Sequence, residues 1–498
     1  MDRGTDLRLA CLALGSWLGA IIGVATTSWT QVGLVTGVLV VGAVALAGGA
    51  HLLHVEGGWI IISLGVLACL AALTVGSLSR QTWEVEATRL TAGEGPQSLV
   101  GSVVLDPVVD TGGWGGGWKV NLEGPSQIRV LVSADSTALK DARLVRGTKL
   151  KVEGKIKLLD TVQPPLVGFM NATKVTEVEG PPQWARLVAE LKSQLALVSQ
   201  KHAGTAGPLI AGMAIGDDRG LTDETKQAML TTSLTHLTAV SGSHIAISLA
   251  VITILLPGRR ALKALVTLVF LTGMVTVVGP QPAVLRAVGM GTLAAGGMVL
   301  KRGGQPMGLL FTVTTITVLL NPWSAISLGF ALSTIATAGI LSVGRVLMGR
   351  IKDFTTDLPL SRLIRTVADA IVIAVVAQAV TVPILVLANP WIPTYGVVAN
   401  LLVAPIVAPM TLLALAAALT CLWLPSVTDV LVSVAAPLAR YMEFIALWVS
   451  GWPLARLPWP GGIGGAGLAV AATVLLVVLA WLVSRSQVTV RMERWLTR

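Results

Sequence analysis

The chain has 498 residues, of which 53% are hydrophobic and 12% charged, with a mean hydropathy of +0.77 and a net charge of +10. So few charges cannot cover the surface of a soluble domain of this length, which excludes a water-soluble globular enzyme. Apolar windows of about 20 residues recur, each long enough to cross a bilayer of roughly 30 Å, so the fold class is a polytopic α-helical membrane protein.

Residues 1–78 hold three apolar runs, at 8–27, 31–50 and 58–78. Arg3 and Arg8 precede the first run and no small-residue cleavage site follows it, so it reads as a retained span. Gly15, Gly19 and Gly23 form a tandem GxxxG, a pattern that lets helix backbones approach closely, here within the chain. Cys11, Cys69 and Cys421 all lie in apolar runs, so neither a disulfide framework nor a metal site is expected.

At 79–180 the composition turns polar and alternating. Five strand-like segments, 98–109, 116–124, 127–134, 148–159 and 168–178, are separated by turns such as TGGWGGG. This predicts an inserted small β-barrel, OB-like in strand number. In TKLKVEGKIKLL, Lys149, Lys151, Lys155 and Lys157 share one face, opposite Leu150, Val152, Ile156 and Leu158. That face is either a track for a phosphate backbone or the wet side of an ordinary strand. Ten Lys/Arg against nine Asp/Glu over 98–179, with Trp114, Trp118 and Phe169 the few aromatic platforms, favour the wet side.

Residues 181–235 predict extracytoplasmic or interfacial amphipathic helices. From 236 to 484 apolar runs return, giving about 12 transmembrane segments in all. Arg259, Arg260, Lys263, Lys301, Arg302, Arg345, Arg350, Lys352, Arg362 and Arg365 fill alternate connections, and 485–498 form a basic tail. The intervening turns, GPQP at 279–282, NPW at 321–323 and NPWIP at 389–393, carry no positive charge, and the last has only Arg456. The positive-inside rule then puts the tail in the cytoplasm and the barrel outside. Trp323, Trp391, Trp448, Trp452 and Trp459 fall at the outer ends, where interfacial rings belong.

Residues 236–247 read HLTAVSGSHIAI, with His236 and His244 flanking a Ser241-Gly242-Ser243 break. Gly242 weakens a helix, whereas Ser241 and Ser243 are good N-caps. A half-helix starting near Ser243 would aim free N–H groups and its positive dipole end inward, a site for an anion. Pro405 and Pro409 are candidates for a similar break. Arg286, Gln378 and Asn400 also sit in apolar runs, where an ionisable or amide group costs a few kcal/mol, roughly 2.5–3.5 for a central Arg, and calls for a reason. Together these residues outline a polar path through the bundle.

HLTAVSGSHIAI, GPQPAVLRAVGM, NPWSAISLGFALSTIATAGIL and AQAVTVPILVLANPWIPTYGVVANLLVAPIVAP, with the lead-in GDDRGLTDETKQAMLTTSLT, resemble in order the blocks of the ComEC-type competence channel family. The likeness is strong over 206–425 and weak over the barrel. It implies a channel that carries single-stranded DNA across the cytoplasmic membrane in natural transformation. It places His236, Ser241, Gly242, His244, Arg286, Gln378 and Asn400 on the channel core. The chain departs from members that end in a metallo-β-lactamase-like domain: His51, His54 and His202 are scattered, with no zinc cluster among them. GRVLMGRI at 344–351 lacks the Lys-Ser/Thr of a Walker A loop. No cofactor and no enzymatic activity are therefore expected in this chain. A surface DNA receptor, a cytoplasmic ATPase motor and a nuclease would be separate partners, and a homodimer stays open. Two other readings compete: a transporter of another anionic solute or lipid, with Asp369 or Glu443 as coupling carboxylate, and an intramembrane hydrolase with Ser241 as nucleophile and His244 or His236 as base. Glu443 is expected to pair with Arg440, three residues away.

Overall fold

A computed structural model describes residues 7–26, 28, 30–38, 41, 58–91, 97–104, 108–110, 117–124, 129–135, 145–158, 166–256, 258–301, 305–354 and 361–485. Most of the expected second span, the TGGWGGG turn with Trp114, His51, His54 and the basic tail beyond Arg485 lie outside these residues.

Among the described residues, seven helices are long and apolar enough to cross a membrane: Ile62–Leu90, Arg260–Val278, Pro282–Val299, Leu328–Lys352, Arg362–Ala388, Gly396–Thr420 and Pro425–Ser450. Four shorter apolar helices join them: Leu9–Ala25, Gly242–Leu255, Pro306–Leu320 and Gly462–Leu475. Several starts are written in the sequence. Pro282, Pro306 and Pro425 stand in the first turn, where a missing N–H costs nothing and the ring fixes φ. Pro405 and Pro409, expected to break the 394–424 run, instead lie inside one continuous helix. Prolines are tolerated in spans because neighbouring groups re-satisfy the freed carbonyls.

The tandem glycines join the first helix to the long one. A Cβ on Gly15, Gly19 or Gly23 would fall 2.1, 2.0 and 2.5 Å from the carbonyl oxygens of Gly65, Cys69 and Leu73. Contacts advance by four residues on both helices, so backbones touch along a ridge of small residues. The partners rise together in number, so the two helices run parallel.

The long helix, Gly58–Thr91, runs past the boundary expected at 78. No Gly or Pro interrupts 78–91, and Arg80 bridges Glu84 one turn on at 2.7 Å. Its far end enters the barrel: Trp83 and Ala87 are buried with Leu99, Leu122, Val130, Leu150 and Met170. Strands β1 (Gln97–Val103), β2 (Val108–Asp110), β3 (Gly117–Glu123), β4 (Arg129–Asp135), β5 (Lys149–Leu158) and β6 (Leu166–Glu179) form the sheet β1-β5-β6-β4-β3-β2. A further β1–β3 pairing closes it into a five-strand barrel with β2 on its rim, and β4–β6 is the parallel pair. The expected first strand, 98–109, is thus two strands.

Two contacts fix the barrel on the bundle. Trp83 packs on Trp323 with ring centroids 6.2 Å apart, and Arg146, before β5, donates to the Thr276 carbonyl at the end of helix 260–278. Trp323, expected in an interfacial belt, is therefore buried. The barrel sits beside the uncharged turns at 279–281 and 321–326.

Helices Gln183–Ala203, Gly207–Ile215 and Asp223–Thr231 share one alanine-rich core with 396–420 and 425–450. Every residue of 207–215 but Pro208 is buried. This stretch enters the bundle rather than lying on its surface, because its nine residues carry no charge.

Candidate functional site

After helix 223–231, the chain cannot run straight on. Ser233 takes a left-handed conformation, φ +57°, unusual without a glycine. One 3-10 turn, Thr235–Leu237, follows, and the Thr238 carbonyl lies where a Cβ on Gly212 would be only 2.1 Å away. Helix 242–255 then starts at Ser241, which is extended at φ −104°, ψ 165°. Of the two candidate caps, Ser241 and Ser243, Ser241 is the one used. The cap is reciprocal: Ser241 Oγ accepts from the His244 N–H at 3.4 Å, and His244 Nδ1 accepts from the Ser241 N–H at 3.3 Å. This is a capping box with imidazole in the place usually held by Glu or Gln.

That bond sets the tautomer. With Nδ1 accepting, a neutral ring carries its proton on Nε2. His244 is 2% exposed, and its Nε2 has no partner among the described residues. Beside His244 is a cavity of about 10 Å³, bordered by Met213, Ser248, Met274 and Thr411, with room for about one water. A nucleotide does not fit there in this conformation.

Arg286 lies one turn into helix 282–299 and is 8% exposed. Its Nη2 is 3.0 Å from the place a Cβ on Gly242 would occupy, so the guanidinium rests against the opening turn of helix 242–255. It makes no hydrogen bond or ion pair among the described residues, and Nη1 is fully buried. Leaving a buried donor unmade costs ~1–3 kcal/mol, more when it is charged. Helix dipole and guanidinium therefore bring two positive ends together with no carboxylate paired to them among the described residues.

Gln378, Asn400 and His236 gather at a second point. Gln378 Nε2 donates to the Pro393 carbonyl at 2.8 Å, while its Oε1 is buried and unpartnered. A Cβ on Gly396 would meet that Oε1 at 2.5 Å and Ser233 Oγ at 3.0 Å. Asn400 Nδ2 donates to the Gly396 carbonyl at 2.8 Å, and His236 Nδ1 is 3.0 Å from the Ser233 carbonyl. The structure thus sorts the expected residues into two neighbouring clusters: Ser241, Gly242, Ser243, His244 and Arg286 in one, and His236, Gln378 and Asn400 in the other. Ser233 and Gly396 belong to the second and were missed, since only the long-range fold brings them there.

Elsewhere the geometry redirects several expectations. His244 accepts from the Ser241 backbone, and Ser241 Oγ pairs with Ser243 Oγ at 2.6 Å, so among the described residues no base is hydrogen-bonded to the hydroxyl. Glu443 does not pair with Arg440. It accepts from Thr205 and Thr225 hydroxyls, both at 3.0 Å, while Arg440 donates to the His202 carbonyl. On the barrel, Lys149 bridges Glu179 at 2.6 Å and Lys151 bridges Glu153 at 3.1 Å. Lys155 and Lys157 are exposed on the same strand.

The turn 216–220 ahead of the site carries a separate ion pair. Gly216, at φ +71°, ends helix 207–215, and Asp217 receives Arg219 Nε and Nη2 at 2.7 Å each. Burial alone would raise the Asp217 carboxyl, but Arg219 outweighs it and holds it below the ordinary value. Asp218 is pushed up by burial.

A family model described as Competence protein matches residues 213–485, from helix 207–215 to the end of the last described helix. No curated protein and no solved structure matches the chain.

Proposed function

The chain belongs to the Competence protein family of the ComEC type, membrane proteins with a role in DNA uptake, and from that premise we propose that it forms the channel through which a single DNA strand crosses the cytoplasmic membrane in natural transformation. The supporting observation is that Arg286 Nη1, His244 Nε2 and Gln378 Oε1 are buried without hydrogen-bond partners among the described residues, the first two beside the start of helix 242–255. An interior built only for packing pairs such groups. One built to receive a polar strand leaves them for it.

In this reading the structure is the closed state, and helices 242–255 and 282–299 part to admit the strand. The barrel is extracytoplasmic, and its closed order with a parallel β4–β6 pair supports the OB comparison. The C-terminus is cytoplasmic. This chain supplies the route, while a surface receptor, an ATPase motor and a nuclease are separate polypeptides. The pairing of Lys149 and Lys151 with carboxylates favours the wet-face reading of β5 over a DNA track. The Ser241–His244 geometry argues against a hydrolase. Transport of another anionic solute or lipid is separated by uptake into vesicles of labelled single-stranded DNA against short anions.

Deletion of the chain in its native host tests the proposal. Transformation is expected to be lost while DNA still binds the cell surface. Normal transformation in the deletion strain rejects the channel, and loss of surface binding as well points to an earlier step. Cysteines placed along 238–245 should react with water-soluble thiol reagents during uptake.

A further inference from the structure

We infer that Arg286 and the opening turn of helix 242–255 form a binding site for one phosphodiester group of the passing strand, read by charge and not by base. This rests on the channel reading and assigns the contact that channel makes with its cargo.

Two donor sets converge. The His244 N–H is taken by Ser241 Oγ and the Ile245 N–H by the Ser241 carbonyl at 3.3 Å. That leaves the Gly242 and Ser243 N–H groups, which take no partner among the described residues. The Arg286 guanidinium, buried and unpaired, lies against this same turn. Paired backbone N–H groups at a helix start and an Arg fork are the two commonest devices for holding a phosphate oxygen. A side chain on Gly242 would bring its Cβ to 3.0 Å from Arg286 Nη2 and crowd the space between the guanidinium and the helix start.

His244 is a positioning residue in this site. Its ring closes the capping box and so fixes which N–H groups remain free. In the closed state the largely buried guanidinium has no counter-charge among the described residues. An entering phosphate supplies the missing counter-charge, so the strand itself favours the parted helices over the closed ones. Bound groups along a DNA strand are identical phosphates, and a site of this kind passes any sequence.

The test uses the full chain in lipid nanodiscs and a fluorescent oligodeoxythymidylate, with either a native phosphodiester or an uncharged methylphosphonate backbone. Lipid is the same in every arm, so a lipid phosphate cannot account for a difference between backbones. The wild-type chain is expected to prefer the charged strand. Arg286→Gln should weaken binding of the charged strand about tenfold or more and lower the salt dependence by about one counterion, without changing binding of the neutral strand. Arg286→Lys, which keeps charge but loses the fork, should fall between, and it carries the test if Arg286→Gln does not accumulate. Equal binding of both backbones by the wild type, or unaltered preference in a folded Arg286 variant, overturns the site. In the host, Arg286→Gln at wild-type membrane level should reduce transformation as binding falls. If the deletion strain itself transforms normally, the channel reading fails, whatever the binding shows.

Discussion

Arg286 Nη2 lies 3.0 Å from the position that a methyl group on Gly242 would fill, setting the guanidinium of helix 282–299 against the start of helix 242–255. Gly242→Ala separates folding from function at this contact. Alanine is the better helix former by up to ~1 kcal/mol, and the atom displaced is the free end of a flexible side chain. The thermal midpoint should hold or rise slightly, whereas transformation should fall severalfold. An unchanged transformation frequency would show that the guanidinium and the helix start act independently.

Ser241→Ala removes one half of the capping box. Loss of an N-cap costs ~1 kcal/mol, and the His244 backbone N–H loses its acceptor. Uptake should decline, and Ser241→Asn, which restores a capping oxygen, should recover most of it. A nucleophilic serine behaves differently, because neither replacement retains activity. Transformation frequencies of the two variants, compared at equal membrane level, distinguish a cap from a catalytic hydroxyl.

The tandem glycines carry a structural prediction. A side chain on Gly19 would collide with the Cys69 carbonyl at 2.0 Å, on a rigid backbone that has no way to yield. Gly19→Leu should lower stability by ~1–3 kcal/mol or more and reduce accumulation in the membrane. Gly33→Ala, whose added Cβ meets nothing within 4 Å, serves as control and should stay within ~0.5 kcal/mol of the wild type. Fluorescence-detected size-exclusion of heated samples reads both.

These variants also mark where sequence reading succeeds. Spans, barrel strands and the late helix start at HLTAVSGSHIAI are local patterns, carried by hydropathy, alternation and capping residues. GxxxG spacing likewise names its own contact face. What local pattern misreads is a change in polarity without a change in conformation. Helix 58–91 crosses from an apolar to a charged stretch at about residue 78 and continues unbroken, with Trp83 and Ala87 buried in the barrel core. The reverse occurs at 207–215, too short for a span yet buried because it is uncharged. Contacts such as Gly396 with Gln378 and Ser233 join segments more than 100 residues apart in one case, so no periodicity announces them. Glu443 shows the limit of helical spacing: Arg440 is a neighbour at i−3, but Thr205 and Thr225 offer hydroxyls aimed at the carboxylate.

The barrel lysines make a negative prediction. Lys149 and Lys151 already face carboxylates, and exposed pairs of this sort contribute ~0–1 kcal/mol. Lys149→Gln with Lys151→Gln should leave both the fold and DNA uptake nearly unchanged. A tenfold loss of uptake would make this face a DNA contact after all.

The acidic turn at 216–220 gives a stability profile of known sign. Asp217 lies outside the candidate spans, its side chain is 7% exposed, and Arg219 grips it with two bonds of 2.7 Å. Its folded carboxyl titrates below the ordinary value of 3.8, so the pair stabilises the protein at neutral pH. That contribution is complete above about the unfolded carboxylate range near pH 4 and is lost as pH falls through the lower folded value. Asp218 has the opposite sign: burial raises its carboxyl, so its charge opposes folding at neutral pH and the opposition ends as pH drops through the raised value. Asp217→Asn should therefore lower the thermal midpoint at pH 7 by the equivalent of ~1.5–3 kcal/mol, with the gap to wild type closing only in strong acid. Asp218→Asn should raise the midpoint at pH 7, with the gain disappearing at mildly acid pH, before the Asp217 effect begins to fade. Melting curves of the three proteins in detergent from pH 7 downward test the order. If the Asp217→Asn gap closes first, Arg219 does not hold the carboxylate as the 2.7 Å contacts require.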